Sequence, residues 1–202
     1  MQFHPGYTYH VYNQGNNRQQ LFFELENYVY FLEKIRKGFL PHCDILAWCL
    51  MPNHFHFLIT IHENYVHEDA IQNKEKIVNP LNRQIGIIQS SYTKAINNRY
   101  GRSGSLFRQN TKAKSLTEQD RDKIDTGVNC FFYIHQNPLK AGLVKKLEDW
   151  EFSSFKDYAG MRNGDLCNKD LAKDLFKLPN EPSKFYNLSY QTIPEEVVKR
   201  IN

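Results

Sequence analysis

The chain has 202 residues, a length that fits one domain with at most a small appendage. Hydrophobic residues make up 41% and charged residues 24%, which excludes a disordered polar polymer, and no apolar run nears the length of a membrane span. The net charge of +4, with a sequence pI of about 8.8, permits nucleic-acid binding without demanding it.

Tyr7 to Tyr12 alternates and is rich in β-formers, so it predicts a first strand, and Asn13 to Asn17 a turn. Leu25, Tyr28, Val29, Leu32 and Ile35 recur at helical spacing and predict a first helix to Arg36, closed by Gly38 and Pro41. Asp44 to Met51 and His54 to Ile61 read as two strands joined at Pro52-Asn53, a hairpin. Residues 62–79 are polar and read as a loop that contains His62 and His67. Ile85, Ile88, Tyr92, Ala95 and Ile96 mark a second helix ending at Gly101, and residues 105–116 hold short β-like pieces. Glu118 to Asn137 reads as a third helix weakened at Gly127, with Pro138 just past its end. The order β, α, β, β, α, β, α implies an α+β layout: a largely antiparallel sheet with helices packed on one face. Residues 1–160 form the readable domain and 161–202 a C-terminal extension or tail that packs on the body or stays mobile.

Four cysteines, at 43, 49, 130 and 167, form no CxxC pair and read as free thiols in a reducing compartment. With no signal peptide and no membrane span, a cytoplasmic protein is expected.

The stretch MPNHFHFLITI, residues 51–61, carries most of the chemistry. On a strand, His54, His56, Leu58 and Thr60 share one face, while Phe55, Phe57, Ile59 and Ile61 share the other. The second set is a core face. The first holds two imidazoles roughly 6.6 Å apart at Cα, a spacing that suits joint binding of one divalent metal. Two polar side chains on a half-exposed strand would give the same pattern. The third helix ends in FFYIHQNPLKAGLV, residues 131–144, where Tyr133 and Asn137 share one face and His135 points elsewhere. If that face meets the histidines, the site holds two imidazoles, an amide oxygen and a phenol. Such a set supports phosphoryl transfer, with a metal polarising a phosphate and a tyrosine attacking phosphorus. Taken alone, Tyr133 equally reads as core beside Phe131 and Phe132, and Asn137 as an ordinary residue before a proline.

In this order, YHVYNQGNNRQQLF, CLMPNHFHFLI, SYTKAINNRYGRSGSLF, YIHQNPLKAGLV and WEFSSFKDYAG resemble the single-tyrosine HUH transposases, specifically the REP-associated tyrosine transposases, over about residues 7–160. The resemblance implies a ferredoxin-like antiparallel sheet with the histidine pair on a central strand. It implies His54, His56 and Asn137 as ligands of Mg²⁺ or Mn²⁺ and Tyr133 as nucleophile. It also implies cleavage of single-stranded DNA beside a hairpin, with a 5′-phosphotyrosine intermediate, by a monomer or a homodimer. After Phe107 relatives often carry an Arg-Phe pair, where this chain has Asn110-Thr111.

Between Arg99 and Lys114 the chain holds Arg99, Arg102, Arg108, Lys112 and Lys114 and no acid. A solvated loop is the plain account. Interleaved Tyr92, Tyr100 and Phe107 would suit a single-strand binder, in which bases stack and cations meet phosphates. Arg102, Arg108, Lys112 and Lys114 are thus the expected DNA contacts, with Arg18 in the turn after the first strand as another, and His10 on the first strand could lie near the site but is read as structural. Two competitors stay open: a catalytically silent hairpin-DNA binder, and a hydrolytic metallonuclease in which water attacks.

Overall fold

A computed structural model describes residues 1–65, 79–116 and 123–201, without the side chains of 123–125. Most of the loop assigned to 62–79, including His67, and the start of the helix assigned from Glu118 lie outside the described residues.

Four strands form one sheet: β1 (Thr8–Gln14), β2 (Cys43–Met51), β3 (His54–Ile61) and β4 (Lys112–Ser115), in the order β2-β3-β1-β4. All three pairings are antiparallel. Helix α1 (Leu25–Phe39) connects β1 to β2, and α2 (Pro80–Tyr100) connects β3 to β4. This is the split βαβ, ferredoxin-like arrangement expected.

Helices α1 and α2 cover the phenylalanine face of β3. Phe31 meets Phe55 at 5.3 Å between ring centroids, and Phe39 meets Phe57 at 5.6 Å. The buried stripe of α1 runs through Tyr28, Phe31, Ile35 and Phe39, so Leu25 and Val29 face outward instead. Gly38 lets the two helices approach, since a Cβ there would stand 2.8 Å from Ile88 Cδ1. Asn79 caps α2, accepting from the Leu81 and Asn82 amides, and Gly101 ends it in the left-handed conformation at φ 60°.

The one-face layout holds for α1 and α2 but not for α3 (Lys123–Lys140), which crosses the histidine face against β2 and β3. It runs through Pro138 rather than stopping at Asn137. A proline there removes one main-chain bond. The buried face of Cys130, Phe131, Ile134 and their neighbours outweighs that loss. Gly127 has a packing role: a Cβ would meet Phe176 Cε1 at 2.9 Å.

Four short helices follow: α4 (Phe155–Tyr158), α5 (Lys169–Phe176), α6 (Pro182–Ser189) and α7 (Glu195–Ile201). The C-terminal segment is packed rather than loose, with α5, α6 and α7 all against α3. The WEFSSFKDYAG segment seals the edge of β2. Leu50 N–H donates to Phe152 O (2.9 Å), Ser154 N–H to Trp48 O (3.0 Å) and Trp48 N–H to Ser154 Oγ (2.9 Å). Tyr158 OH donates to the carbonyl of Leu46, where β2 shifts register by one residue. An edge strand otherwise offers unpaired backbone to other chains.

Candidate active site on the histidine face

The β2–β3 turn has only two residues, because Met51 pairs with His54. The β1–α1 connection clamps it: Gly15 N–H donates to Asn53 O (2.8 Å), and Leu21 N–H to Pro52 O (2.7 Å). His54 therefore starts β3 at a fixed point. Register then assembles one face of the sheet. Gln14 lies opposite His54, Tyr12 opposite His56, Lys112 opposite Tyr12, and Lys114 opposite His10. Directly opposed residues point to the same side.

A cavity of about 360 Å³ opens on this face, lined by Tyr12, Asn13, Gln14, His54, His56, Arg108, Asn110, Lys112 and Tyr133. The rings of His54 and His56 are 5.1 Å apart, and Tyr133 stands 5.8 Å from His56, edge to face. The helix thus brings its phenol to the histidine pair as the chain's pattern suggested. Asn137 lies one turn beyond, 9% exposed, with its Nδ2 donating to the Tyr133 carbonyl at 3.1 Å. It does not line the cavity. Its Oδ1 is the atom available for a cation.

Each histidine has its Nδ1 engaged. His54 Nδ1 lies 2.7 Å from Asn53 Oδ1, and Asn53 Nδ2 donates to the Arg18 carbonyl at 3.3 Å. The Arg18 carbonyl thus identifies the amide nitrogen of Asn53, leaving its oxygen toward the ring. An amide oxygen only accepts, so His54 carries its proton on Nδ1 and its lone pair on Nε2. His56 Nδ1 lies 2.8 Å from Nε2 of His10, a residue for which the sequence favours a structural role. Burial drives the pKa of His54 to about 4 and holds His56 well below the ordinary imidazole value. Neutral imidazoles are the metal-binding form. Among the described residues no three His, Cys, Asp or Glu side chains cluster as a metal site. The two imidazoles, with rings 5.1 Å apart, are the nitrogen donors that the structure gathers at the cavity.

Of the expected DNA contacts, Arg108 and Lys112 line the cavity and Lys114 shares its face of the sheet. Arg102 is elsewhere, donating to Gln19 Oε1 and lying over the Phe23 ring at 5.4 Å. The Arg18 carbonyl accepts from Asn53 Nδ2 at 3.3 Å, and its backbone stands at φ 58°. Asn110 faces the cavity. Thr111 is buried, accepting from Asn13 Nδ2 (3.0 Å) and Gln89 Nε2 (2.5 Å), so the two departures from the family pattern serve different ends.

Three participants were not singled out from sequence. Tyr12 stacks on His56 at 5.7 Å. Asn53 reads there only as a turn residue. Lys140 Nζ lies 5.6 Å from the Tyr133 ring centroid, and its place in the YIHQNPLK run was the one available signal. His135 is no ligand: it is buried, with Nε2 2.7 Å from Ser154 Oγ.

No helix among the described residues is long and apolar enough to cross a membrane. No curated protein matches the chain. A solved structure described as the REP-associated tyrosine transposase bound to a REP hairpin shares the fold, with a TM-score of 0.57 and 22% identity. The match covers 83% of this chain and 92% of that one. The sequence profile of the IS200-like transposases matches residues 4–124, which includes the histidine strand and stops short of Tyr133. The matched segment is more than half of the chain, and the chain belongs to the IS200-like transposase family.

Proposed function

We propose that this chain is a single-strand DNA nuclease and strand transferase with Tyr133 as its nucleophile. The observation that carries this reading is that His54 and His56 from β3 and Tyr133 from α3 line one cavity beside Arg108 and Lys112. The Tyr133 phenol oxygen attacks a backbone phosphorus. The bond from phosphorus to the 3′ oxygen breaks, leaving a free 3′-OH and a 5′-phosphotyrosine. The phenol proton passes to water or solvent base, and the departing 3′ oxygen takes a proton from water. Attack by another strand's 3′-OH reverses the step and rejoins the DNA. A neutral phenol with an ordinary pKa near 10 is a weak nucleophile. Lys140 Nζ lies over the Tyr133 ring, 5.6 Å from its centroid.

His54, His56 and Asn137 would hold Mg²⁺ or Mn²⁺, which supplies Lewis-acid polarisation of the phosphate when bound. Arg108, Lys112 and Lys114 bind and orient the backbone on the same face. We take hairpin DNA as the substrate because the protein sharing this fold is described as bound to a REP hairpin, and the cytoplasm as the compartment.

The test is a covalent-adduct assay with labelled single-stranded hairpin DNA and Mn²⁺, resolved on a denaturing gel. A protease-sensitive shifted band in the wild type, lost in Tyr133→Phe, is the expected result. Cleavage that persists in Tyr133→Phe would make the protein a hydrolytic nuclease. A native shift with neither product nor adduct would make it a hairpin binder.

A further inference from the structure

We infer that His10 is a positioning residue, which holds His56 in its metal-binding tautomer and is itself held by the main chain of α7. The inference rests on the reading of His56 as a ligand.

The geometry fixes each proton in turn. His10 Nδ1 lies 2.9 Å from the Ile201 carbonyl oxygen. A carbonyl has no proton to give, so His10 carries its own on Nδ1. His10 is fully buried, with Lys114 directly across the sheet, and both facts disfavour a second proton on its ring. Its Nε2 is therefore a bare lone pair. That lone pair faces His56 Nδ1 at 2.8 Å, with the two ring planes within 17° of parallel. Two lone pairs at this separation repel, so a proton lies between them, and it belongs to His56 Nδ1. His56 is then left with its own lone pair on Nε2.

The opposite tautomer of His56 would put a proton where the cation must bind and a lone pair against His10. His10 thus discriminates between a ligand and a non-ligand form of the same side chain. Outer partners of metal-binding histidines commonly act in this way. The unusual element is the terminus of the relay: Ile201 lies 191 residues away from His10 in sequence, on the last helix.

The test reads the tautomer directly. Metal-free protein labelled with ¹⁵N in its imidazoles is studied by long-range ¹H–¹⁵N NMR near pH 7.5, and Mn²⁺ affinity is measured by calorimetry. The wild type should show Nδ1–H on both His10 and His56. In His10→Phe, which fills the space without an acceptor, His56 should shift toward Nε2–H. Mn²⁺ affinity should then fall by roughly 10- to 100-fold. His10→Gln, which retains an acceptor and a donor, should recover most of that loss. Thermal unfolding confirms that each variant is folded. If His10→Phe does not fold, the wild-type spectrum and His10→Gln carry the test. Nε2–H on His56 in the wild type would overturn the inference. So would an unchanged tautomer and affinity in His10→Phe, or equal losses in both variants. If the wild type binds no Mn²⁺, the ligand assignment itself fails, and the spectra still decide whether the relay exists.

Discussion

Asn53 stands just outside β3, yet its Oδ1 lies 2.7 Å from Nδ1 of the first strand residue, His54. The side chain does two jobs at once, because its nitrogen is spent on the Arg18 carbonyl. The turn thereby sets the tautomer of a candidate ligand. Asn53→Ala should weaken Mn²⁺ binding by roughly 10- to 100-fold while the protein stays folded. Calorimetric titration checks this, and an unchanged affinity would remove Asn53 from the site.

Tyr133→Phe deletes one hydroxyl from a ring that is 8% exposed and packed edge to face on His56. Hairpin affinity should stay within about twofold of wild type, well under the 1.4 kcal/mol that a tenfold change represents. The covalent adduct should vanish. Fluorescence anisotropy and the denaturing gel read the two quantities separately.

Lys112 and Lys114 lie on the cavity side of β4, aligned with Tyr12 and His10. If each meets one phosphate, replacing either by Ala should lower the slope of log affinity against log salt by about 0.7. Arg102→Ala, which does not line the cavity and is tied to Gln19, should leave that slope unchanged. Anisotropy titrations across a salt series decide. Equal slopes in all variants would place the DNA elsewhere.

Ser154 Oγ accepts from the Trp48 amide at 2.9 Å and lies 2.7 Å from His135 Nε2. Ser154→Ala strands a buried amide and an imidazole together. We expect a loss of about 1–3 kcal/mol in urea unfolding, with the adduct reaction retained at temperatures where the variant stays folded. A loss under 0.5 kcal/mol would mean that water or a shifted backbone replaces the hydroxyl.

Burial lowers the pKa of His135 to about 3 and that of His10 to about 4, against about 6.5 in an unfolded chain. Between these values the unfolded state binds more protons. The metal-free protein should therefore lose stability as pH falls below about 6.5, by up to about 1.4 kcal/mol per pH unit for each such histidine. Above pH 7 these groups add no slope. His135→Gln should reduce the slope between pH 4 and 6 by about one proton, measured from urea midpoints. An unchanged slope would show that His135 is already protonated in the folded protein.

Much of the architecture was legible from periodicity. The alternation of His54 to Ile61 gave the strand and both of its faces, and the spacing from Ile85 to Ile96 gave α2. Tyr133 and Asn137 were legible as a pair because four residues make a helical turn. What resisted was non-local. Pro138 signals an end, but the packing of α3 on the sheet overrides one missing hydrogen bond. Leu25 and Val29 fit a helical stripe, yet Phe31 and Phe39 define the buried one. Ser153 and Ser154 had no local meaning, since the partner of Ser154 lies 106 residues earlier in β2. His10 appeared structural because its two partners, His56 and Ile201, belong to distant parts of the chain.

The bond from His10 to Ile201 also sets a clock on biosynthesis. The two residues are 191 positions apart, so at about 5–20 residues per second a ribosome needs about 10–40 s to make the second after the first. During that interval the histidine strand can form its hairpin and pair with β1. The imidazole of His10 still lacks the acceptor that orients it. His10 can meet this acceptor only after Ile201 has been made, so the contact that orients it is among the last that the described chain can form.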